Sequence, residues 1–230
     1  SMNSADQNQK SNKTMRDPKA VRRAMCLYAV TDRAWTGRRT LAEQVDDALA
    51  GGATCLQIRE KDLDPEDFLA EAEIFKQKCR ASNVPLIVND SVEIALKCRA
   101  DGIHVGQSDM EAGDVRTAVG EDMIIGVSAQ TVQQALAAQA AGADYLGVGA
   151  VFPTSTKLDA VEVSREMLLA ICSAVDIPVV AIGGITRDNL PELAGTGVAG
   201  VALVSAIFAA DDIARECRNL LRLSEEMIEA

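Results

Sequence analysis

From Cys26 onward the sequence alternates, eight times over, a short apolar run with a longer amphipathic one. The apolar runs cover residues 26–31, 54–59, 86–89, 102–105, 124–128, 145–149, 179–182 and 200–204. Between and after them, residues 40–50, 65–81, 92–100, 112–119, 132–141, 165–175, 188–194 and 211–223 carry helical spacing or helix-favouring composition. One strand and one helix in about 25 residues, repeated without remainder, is the arithmetic of an α/β chain closed into a (β/α)8 TIM barrel. An open, doubly wound sheet is the competing arrangement, and it leaves units over. Aromatic residues make up only 3% of a chain that is 48% hydrophobic. The core is therefore built from Val, Ile, Leu and Ala, as suits parallel strands covered by helices.

The local signals agree with this division. Asp64-Pro65-Glu66-Asp67 supplies an N-cap, a proline at the first helical position and acids in the first turn. Pro85 and Pro178 stand just before apolar strands, where a missing N–H does little harm. Asp188 to Glu192 reads as a helix start with Pro191 inside its first turn. Residues 1–22 are polar and read as a tail, with Ser1 before Met2 a cloning remnant; residues 23–230 read as a single barrel domain.

Composition excludes several classes of function. The six cysteines contain no C-x-x-C pair and His104 is the only histidine, which argues against a zinc site or a disulfide framework. A Ser-His-Asp hydrolase would need His104 itself, and no G-x-S-x-G accompanies it. No apolar run of about 20 residues suggests a membrane span, and no apolar h-region suggests secretion, so a cytoplasmic location is expected. With 23 basic against 34 acidic residues the net charge is -11. That field repels nucleic acid and anionic membrane surfaces, although a small phosphorylated ligand responds to local charge.

In a barrel the reactive groups belong at the carboxyl ends of the strands. Strand alternation sends Leu56 and Ile58 outward and puts Gln57, Arg59 and Lys61 on one inward row, an anion site if those cations are not consumed by Glu60 or Asp62. Asn89-Asp90 ends the third strand and Gln107-Ser108-Asp109 follows the fourth. The two carboxylates suit a shared divalent cation, unless they merely cap the next helices. Gly147 and Gly149 share the parity of Tyr145, which leaves inner space for a ligand, and the loop after them offers Thr154, Ser155, Thr156 and Lys157. The glycines of AIGGIT and the turn after ALVSAIF fall where this fold recurrently holds phosphate. His104 points into the barrel and reads as a hydrogen-bonded interior residue rather than a catalyst.

The motifs LQIREK (56–61), LIVND (86–90), ADGIHVGQSD (100–109), IGVSAQT (125–131), ADYLGVGAVFPTSTK (143–157), VVAIGGI (179–185) and VALVSAI (201–207) follow in order. In them the chain resembles the thiamine-phosphate synthase (thiamine phosphate pyrophosphorylase) family. The resemblance implies a (β/α)8 barrel and a Mg2+-dependent transferase. Such an enzyme joins hydroxymethylpyrimidine diphosphate to a thiazole phosphate, in its hydroxyethyl or carboxylated form. It implies that Gln57, Ile58, Arg59, Glu60, Lys61, Asn89, Ser128 and Lys157 hold the pyrimidine diphosphate, with Arg59, Lys61, Ser128 and Lys157 catalytic. Asp90 and Asp109 would hold Mg2+, and Thr154, Ser155, Thr156, Gly184, Val204 and Ser205 the thiazole phosphate. The implied partners are small phosphorylated substrates, not nucleic acid or membrane, with homo-oligomerisation left open. Gln130 stands where the family usually has histidine, and LDAVEV after Lys157 lacks the usual Pro or Gly. The other readings are a thiazole phosphate tautomerase-like barrel, which needs a proton shuttle, and a non-catalytic phosphate-ligand binder.

Overall fold

The computed structural model describes residues 15–107, 112–154 and 161–230. Eight parallel strands close on themselves in sequence order: β1 Leu27–Val30, β2 Cys55–Ile58, β3 Leu86–Asn89, β4 Gly102–Val105, β5 Ile124–Ala129, β6 Tyr145–Val148, β7 Val179–Ile182 and β8 Gly200–Leu203. β8 pairs back onto β1 with Ala202 beside Tyr28, which completes the barrel. The open-sheet alternative is thereby removed.

The helical layer is α1 Pro18–Ala24, α2 Leu41–Ala50, α3 Pro65–Ala81, α4 Val92–Lys97, α5 Ala112–Val119, α6 Val132–Ala140, α7 Arg165–Ala174, α8 Ser205–Phe208 and α9 Ile213–Glu229. Their starts have local causes. Thr40 and Glu43 form a reciprocal capping box on α2, and Asp64 accepts from the Asp67 N–H ahead of Pro65 on α3. The helices bury their apolar faces against outward strand residues such as Leu56, Ile58, Leu86 and Leu146, which have no exposed surface. Inside the barrel a second apolar group holds Tyr28, Cys55, Ile87, Ile124, Tyr145 and Val180.

Three elements depart from the sequence reading. The segment read as a tail up to residue 22 is helical from Pro18, because Asp17 caps it and Val21 is buried under the barrel floor. Thr54 fastens this floor: its Oγ1 donates to the Ala24 carbonyl at 2.8 Å and accepts from the Leu27 N–H at 2.7 Å. The helix expected over 188–194 is reduced to a 3₁₀ turn, Leu190–Leu193. Pro191 removes a donor there, and Gly195 and Gly197, both at positive φ, end the segment. α9 runs to Glu229, beyond the expected 223, because Ser224 and Met227 extend its buried stripe.

Acidic residues at the amino ends of the strands are structural. Asp101 is buried, accepts from the Leu86 N–H at 2.8 Å and pairs with Lys76 at 2.9 Å. Asp144 accepts from the Ile125 N–H at 2.8 Å and from Arg116 at 2.7 Å. These carboxylates lock the barrel floor and lie at the opposite end from the site. Among the described residues no helix is long and apolar enough to cross a membrane.

Candidate active site

The carboxyl ends of β2, β3, β4 and β5 bring one set of polar side chains into the barrel mouth. The register aligns Asn89 with His104, His104 with Gly126, and Ser128 with Gly147. Gln57 lies inside, nearly buried, while Leu56 and Ile58 face the helices, as alternation requires. The Ile58 side chain is therefore turned away from the mouth. Arg59 follows at the rim, half-buried, its N–H donating to Thr31 Oγ1 at 3.1 Å, and Lys61 is exposed beyond it.

Glu60 does not neutralise these two cations. It turns away to Arg33, accepting from Nε at 2.9 Å, and Arg33 also donates to Glu71 at 2.6 Å. Burial, and then the neighbouring Glu60, push the Glu71 carboxyl up to about 7 against the pull of Arg33. Among the described residues neither Arg59 nor Lys61 forms an ion pair. Among the described residues the rim thus keeps two positive charges without an ion-pair partner.

Asp90 sits one residue past β3 in the left-handed region, with φ 65. Its N–H donates to the His104 carbonyl at 2.9 Å and its Oδ2 accepts from Asn89 Nδ2 at 3.2 Å. Ser91, not Asp90, caps α4 by accepting from the Ile94 N–H at 3.1 Å. The capping alternative therefore fails for Asp90, and its carboxylate is held at the rim on the strand next to Arg59. Asp109, Ser155, Thr156 and Lys157 lie outside the described residues.

His104 lies half-buried on the inner face of the barrel, between Tyr145 and Ser128. Its Nδ1 lies 2.9 Å from Tyr145 Oη and its Nε2 2.8 Å from Ser128 Oγ. Burial, followed by the charge of Arg59, lowers its pKa to about 4, so it is a neutral imidazole at pH 7. Both ring nitrogens are engaged within the protein, which agrees with an interior role. Residues 147 and 149 do not leave the ligand space expected of them. A Cβ at Gly147 would stand 3.2 Å from His104 Cε1, and one at Gly149 would stand 2.0 Å from the Ile182 carbonyl oxygen. The glycines admit a histidine ring and a neighbouring strand instead.

The far side of the mouth is formed by the loops after β6, β7 and β8. Gly183 and Gly184 both have positive φ, and a Cβ at Gly184 would lie 2.6 Å from the carbonyl oxygens of Phe152 and Pro153. Main-chain bonds from Val151 to Ile182 and from Phe152 to Gly183 strap the two loops together. Thr154 is half-buried in the loop after β6. Val204 and the exposed Ser205 start the four-residue α8 just past β8. Gln130, at the end of β5, donates its N–H to Gln134 Oε1 at 2.8 Å.

The family profile described as thiamine monophosphate synthase matches residues 27–207. The chain belongs to the thiamine-phosphate synthase family. It is 50% identical over 197 residues to a thiamine-phosphate synthase of Ruminiclostridium cellulolyticum, covering 86% of this chain and 94% of that one. It is 47% identical to another from Clostridium tetani, over 84% of this chain and 93% of the relative. A solved thiamine phosphate pyrophosphorylase of Pyrococcus furiosus superposes with a TM-score of 0.83 at 38% identity, covering 90% of this chain and 99% of that one. Family membership makes the chain a transferase of thiamine biosynthesis on a TIM barrel.

What the sequence did not reveal about this mouth is the interior between Tyr28 and Ser128. Gln57, His104, Ser128 and Tyr145 were each named singly, and Tyr28 was not. Their contact depends on which strands stand opposite one another across the barrel, and no local pattern carries that.

Proposed function

We propose that this chain couples hydroxymethylpyrimidine diphosphate with a thiazole phosphate, releasing diphosphate, and that it does so at the mouth formed by β2, β3, β5 and the loops after β6 to β8. The observation that supports this reading is the pair of cations just past β2, Arg59 and Lys61, which form no ion pair among the described residues and stand beside the carboxylate that follows β3, Asp90. A diphosphate is the kind of ligand that uses both charges at once. Arg59 clamps its oxygens and Lys61 acts as a point charge. The polar groups of Gln57, Asn89 and Ser128 hold the pyrimidine side. Ile58 and Glu60 contribute main chain only, since their side chains are directed elsewhere.

Asp90 suits Mg2+ by chemistry: it is a hard carboxylate at the rim, and among the described residues no group of three or more acidic, His or Cys side chains forms a closed metal cage. Mg2+ is commonly held by one or two carboxylates together with substrate phosphate oxygens. Asp109 is the second candidate ligand, and bound Mg2+ would supply positive charge to the departing diphosphate.

In this mechanism the exocyclic methylene carbon loses its C–O bond, and the electron pair leaves with the diphosphate. Arg59, Lys61 and Lys157 stabilise the charge that develops on the leaving oxygens. The thiazole is held by its phosphate at Thr154, Ser155, Thr156, Gly184, Val204 and Ser205, where positive-φ glycines let an anion approach main-chain N–H groups. Its ring nitrogen donates a lone pair to the methylene carbon and the C–N bond forms. That nitrogen carries no proton, so no general base is required. A neutral His104 and an uncharged Gln130 are compatible with this. A tautomerase must move a proton, whereas Gln130 has no titratable group and both His104 ring nitrogens are engaged within the protein.

A coupled assay with both substrates tests the reading. Diphosphate release is expected only when both are present and is abolished by EDTA. Asp90→Ala and Lys157→Ala each reduce kcat by about 10² or more, as loss of a charge stabiliser does. Near-normal turnover in a folded Asp90→Ala, Asp109→Ala double variant would overturn the metal assignment. We place the enzyme among small-molecule catalysts of the cytoplasm, and regard its partners as its phosphorylated substrates.

A further inference from the structure

Five polar side chains form one continuous hydrogen-bonded line through the barrel. Gln57 Nε2 donates to Tyr28 Oη at 2.9 Å, Tyr28 Oη meets Tyr145 Oη at 2.6 Å, and Tyr145 Oη meets His104 Nδ1 at 2.9 Å. His104 Nε2 then meets Ser128 Oγ at 2.8 Å. Tyr28 and Tyr145 are essentially without exposed surface, so neither touches a ligand.

The fold has made room for this line. The Tyr145 ring lies over Gly126, where a Cβ would come 2.3 Å from its hydroxyl, and the His104 ring lies against Gly147. Tyr28 and Tyr145 meet edge to face with centroids 5.8 Å apart. Buried hydroxyls cost free energy unless bonded, so a line this long persists only when each member has a partner.

The polarity of the line follows from its first member. An amide Nε2 can only donate, so Tyr28 Oη accepts there and must place its own proton elsewhere. Its neighbours are the Tyr145 hydroxyl and the Cys55 thiol, and a thiol is a weak acceptor. Tyr28 therefore donates to Tyr145 and Tyr145 donates to His104 Nδ1; a ring nitrogen that accepts carries no hydrogen, so the imidazole proton is on Nε2. That proton goes to Ser128 Oγ. The Ser128 hydroxyl then has one lone pair engaged from below, and its own hydrogen is directed toward the mouth.

The geometry points to Tyr145 and His104 as positioning residues that fix Ser128 as a hydrogen-bond donor to the pyrimidine diphosphate. This inference rests on the proposed placement of that substrate beside Ser128. It explains why the chain's single histidine lies beneath a site whose chemistry needs no general base. In the reversed line Ser128 would offer lone pairs to the mouth and would repel an anionic or lone-pair-bearing ligand.

Two measurements test it. His104 is the only histidine, so protein labelled with ¹⁵N-histidine shows a single imidazole. At pH 8 the ligand-free protein is expected to show the Nε2–H tautomer, with Nδ1 unprotonated; a dominant Nδ1–H tautomer overturns the line's direction and the proposal with it. This result is independent of any substrate. In steady-state kinetics, Tyr145→Phe is expected to reduce kcat/KM for the pyrimidine diphosphate by about tenfold, the scale of one hydrogen bond. KM for the thiazole phosphate should be unchanged. In a Ser128→Ala background the same substitution should have no further effect. A similar loss in both backgrounds, or none in either, overturns the positioning role. If Ser128→Ala itself leaves the pyrimidine kinetics untouched, it is the substrate placement that fails, and the tautomer still reports on the line.

Discussion

Gly126 and Gly147 show how much of this site depends on side chains that are missing. A Cβ on Gly126 would fall 2.0 Å from Tyr145 Cζ, and the ring cannot retreat because its hydroxyl is held by both Tyr28 and His104. Gly126→Ala is expected to destabilise the fold by about 1–3 kcal/mol, as overpacking does, which lowers Tm by roughly 2–4 °C per kcal/mol in a chain of this size. Gly147→Ala differs, because its Cβ meets only the His104 ring, at 3.2 Å from Cε1 and 3.8 Å from Nε2. It should leave Tm nearly unchanged while shifting the imidazole off Ser128 and reducing turnover. Thermal unfolding and kinetics of the two variants separate these outcomes, and equal Tm losses would contradict the assignment. At this scale the sequence was only partly legible. Parity placed Gln57 and His104 on the inner side, since a strand has only two faces, whereas Ser128 was singled out only through the family resemblance. The space beside Gly147 was read as a ligand's, because the occupant comes from β4, two strands away around the barrel, and nothing local announces it.

The elements themselves were legible wherever an apolar run of strand length lay between capped helices. β3, β4 and β7 fall within their expected bounds, and Thr40, Asp64 and Ser164 mark their helix starts through side-chain caps. The departures have separate causes: α1 is a single capped helix of seven residues inside a polar segment, Pro191 limits Leu190–Leu193 to a 3₁₀ turn, and α9 is prolonged by Ser224 and Met227. One inter-element contact has a measurable signature. The turn after β1 is tied to β2 and α3 through Arg33, Glu60 and Glu71. The Glu71 carboxyl sits at about 7 in the native state against an ordinary value of 4.5. The native chain therefore binds more protons than the unfolded one between those values. Its contribution to stability is complete below about 4.5 and is lost as pH rises through 7. The opposing pair with Arg33 is half-exposed and weak. Glu71→Gln should flatten the decline in unfolding free energy between pH 5 and pH 8 and leave the variant the more stable of the two at pH 8. Parallel urea titrations at both pH values check this; an unchanged pH slope in the variant would contradict it.

For the whole molecule the puzzle is a chain of net charge -11 that handles substrates rich in phosphate. The distribution resolves it. Asp101 and Asp144 are consumed at the barrel floor, paired with Lys76 and Arg116, whereas Arg59 and Lys61 stand at the mouth without acidic partners among the described residues. Long-range repulsion is screened within about 8 Å at physiological salt, so an anion in the mouth feels chiefly the nearby cations. The carboxylate of Asp90 adds negative charge there, which favours an anion only when a divalent cation lies between them. Mg2+ and diphosphate should therefore bind as a unit. Mg2+ alone is expected to change Tm little, because protein carboxylates alone form an incomplete octahedral site, and diphosphate with EDTA should do equally little. Together, at about 100 times the dissociation constant of the pair, they contribute about 2.7 kcal/mol by mass action. That raises Tm by roughly 5–10 °C at this chain length. Asp90→Asn should abolish the joint shift while leaving the ligand-free Tm unchanged. A thermal-shift series with Mg2+, diphosphate, both, and both with EDTA distinguishes this from independent binding, in which the separate shifts would simply add.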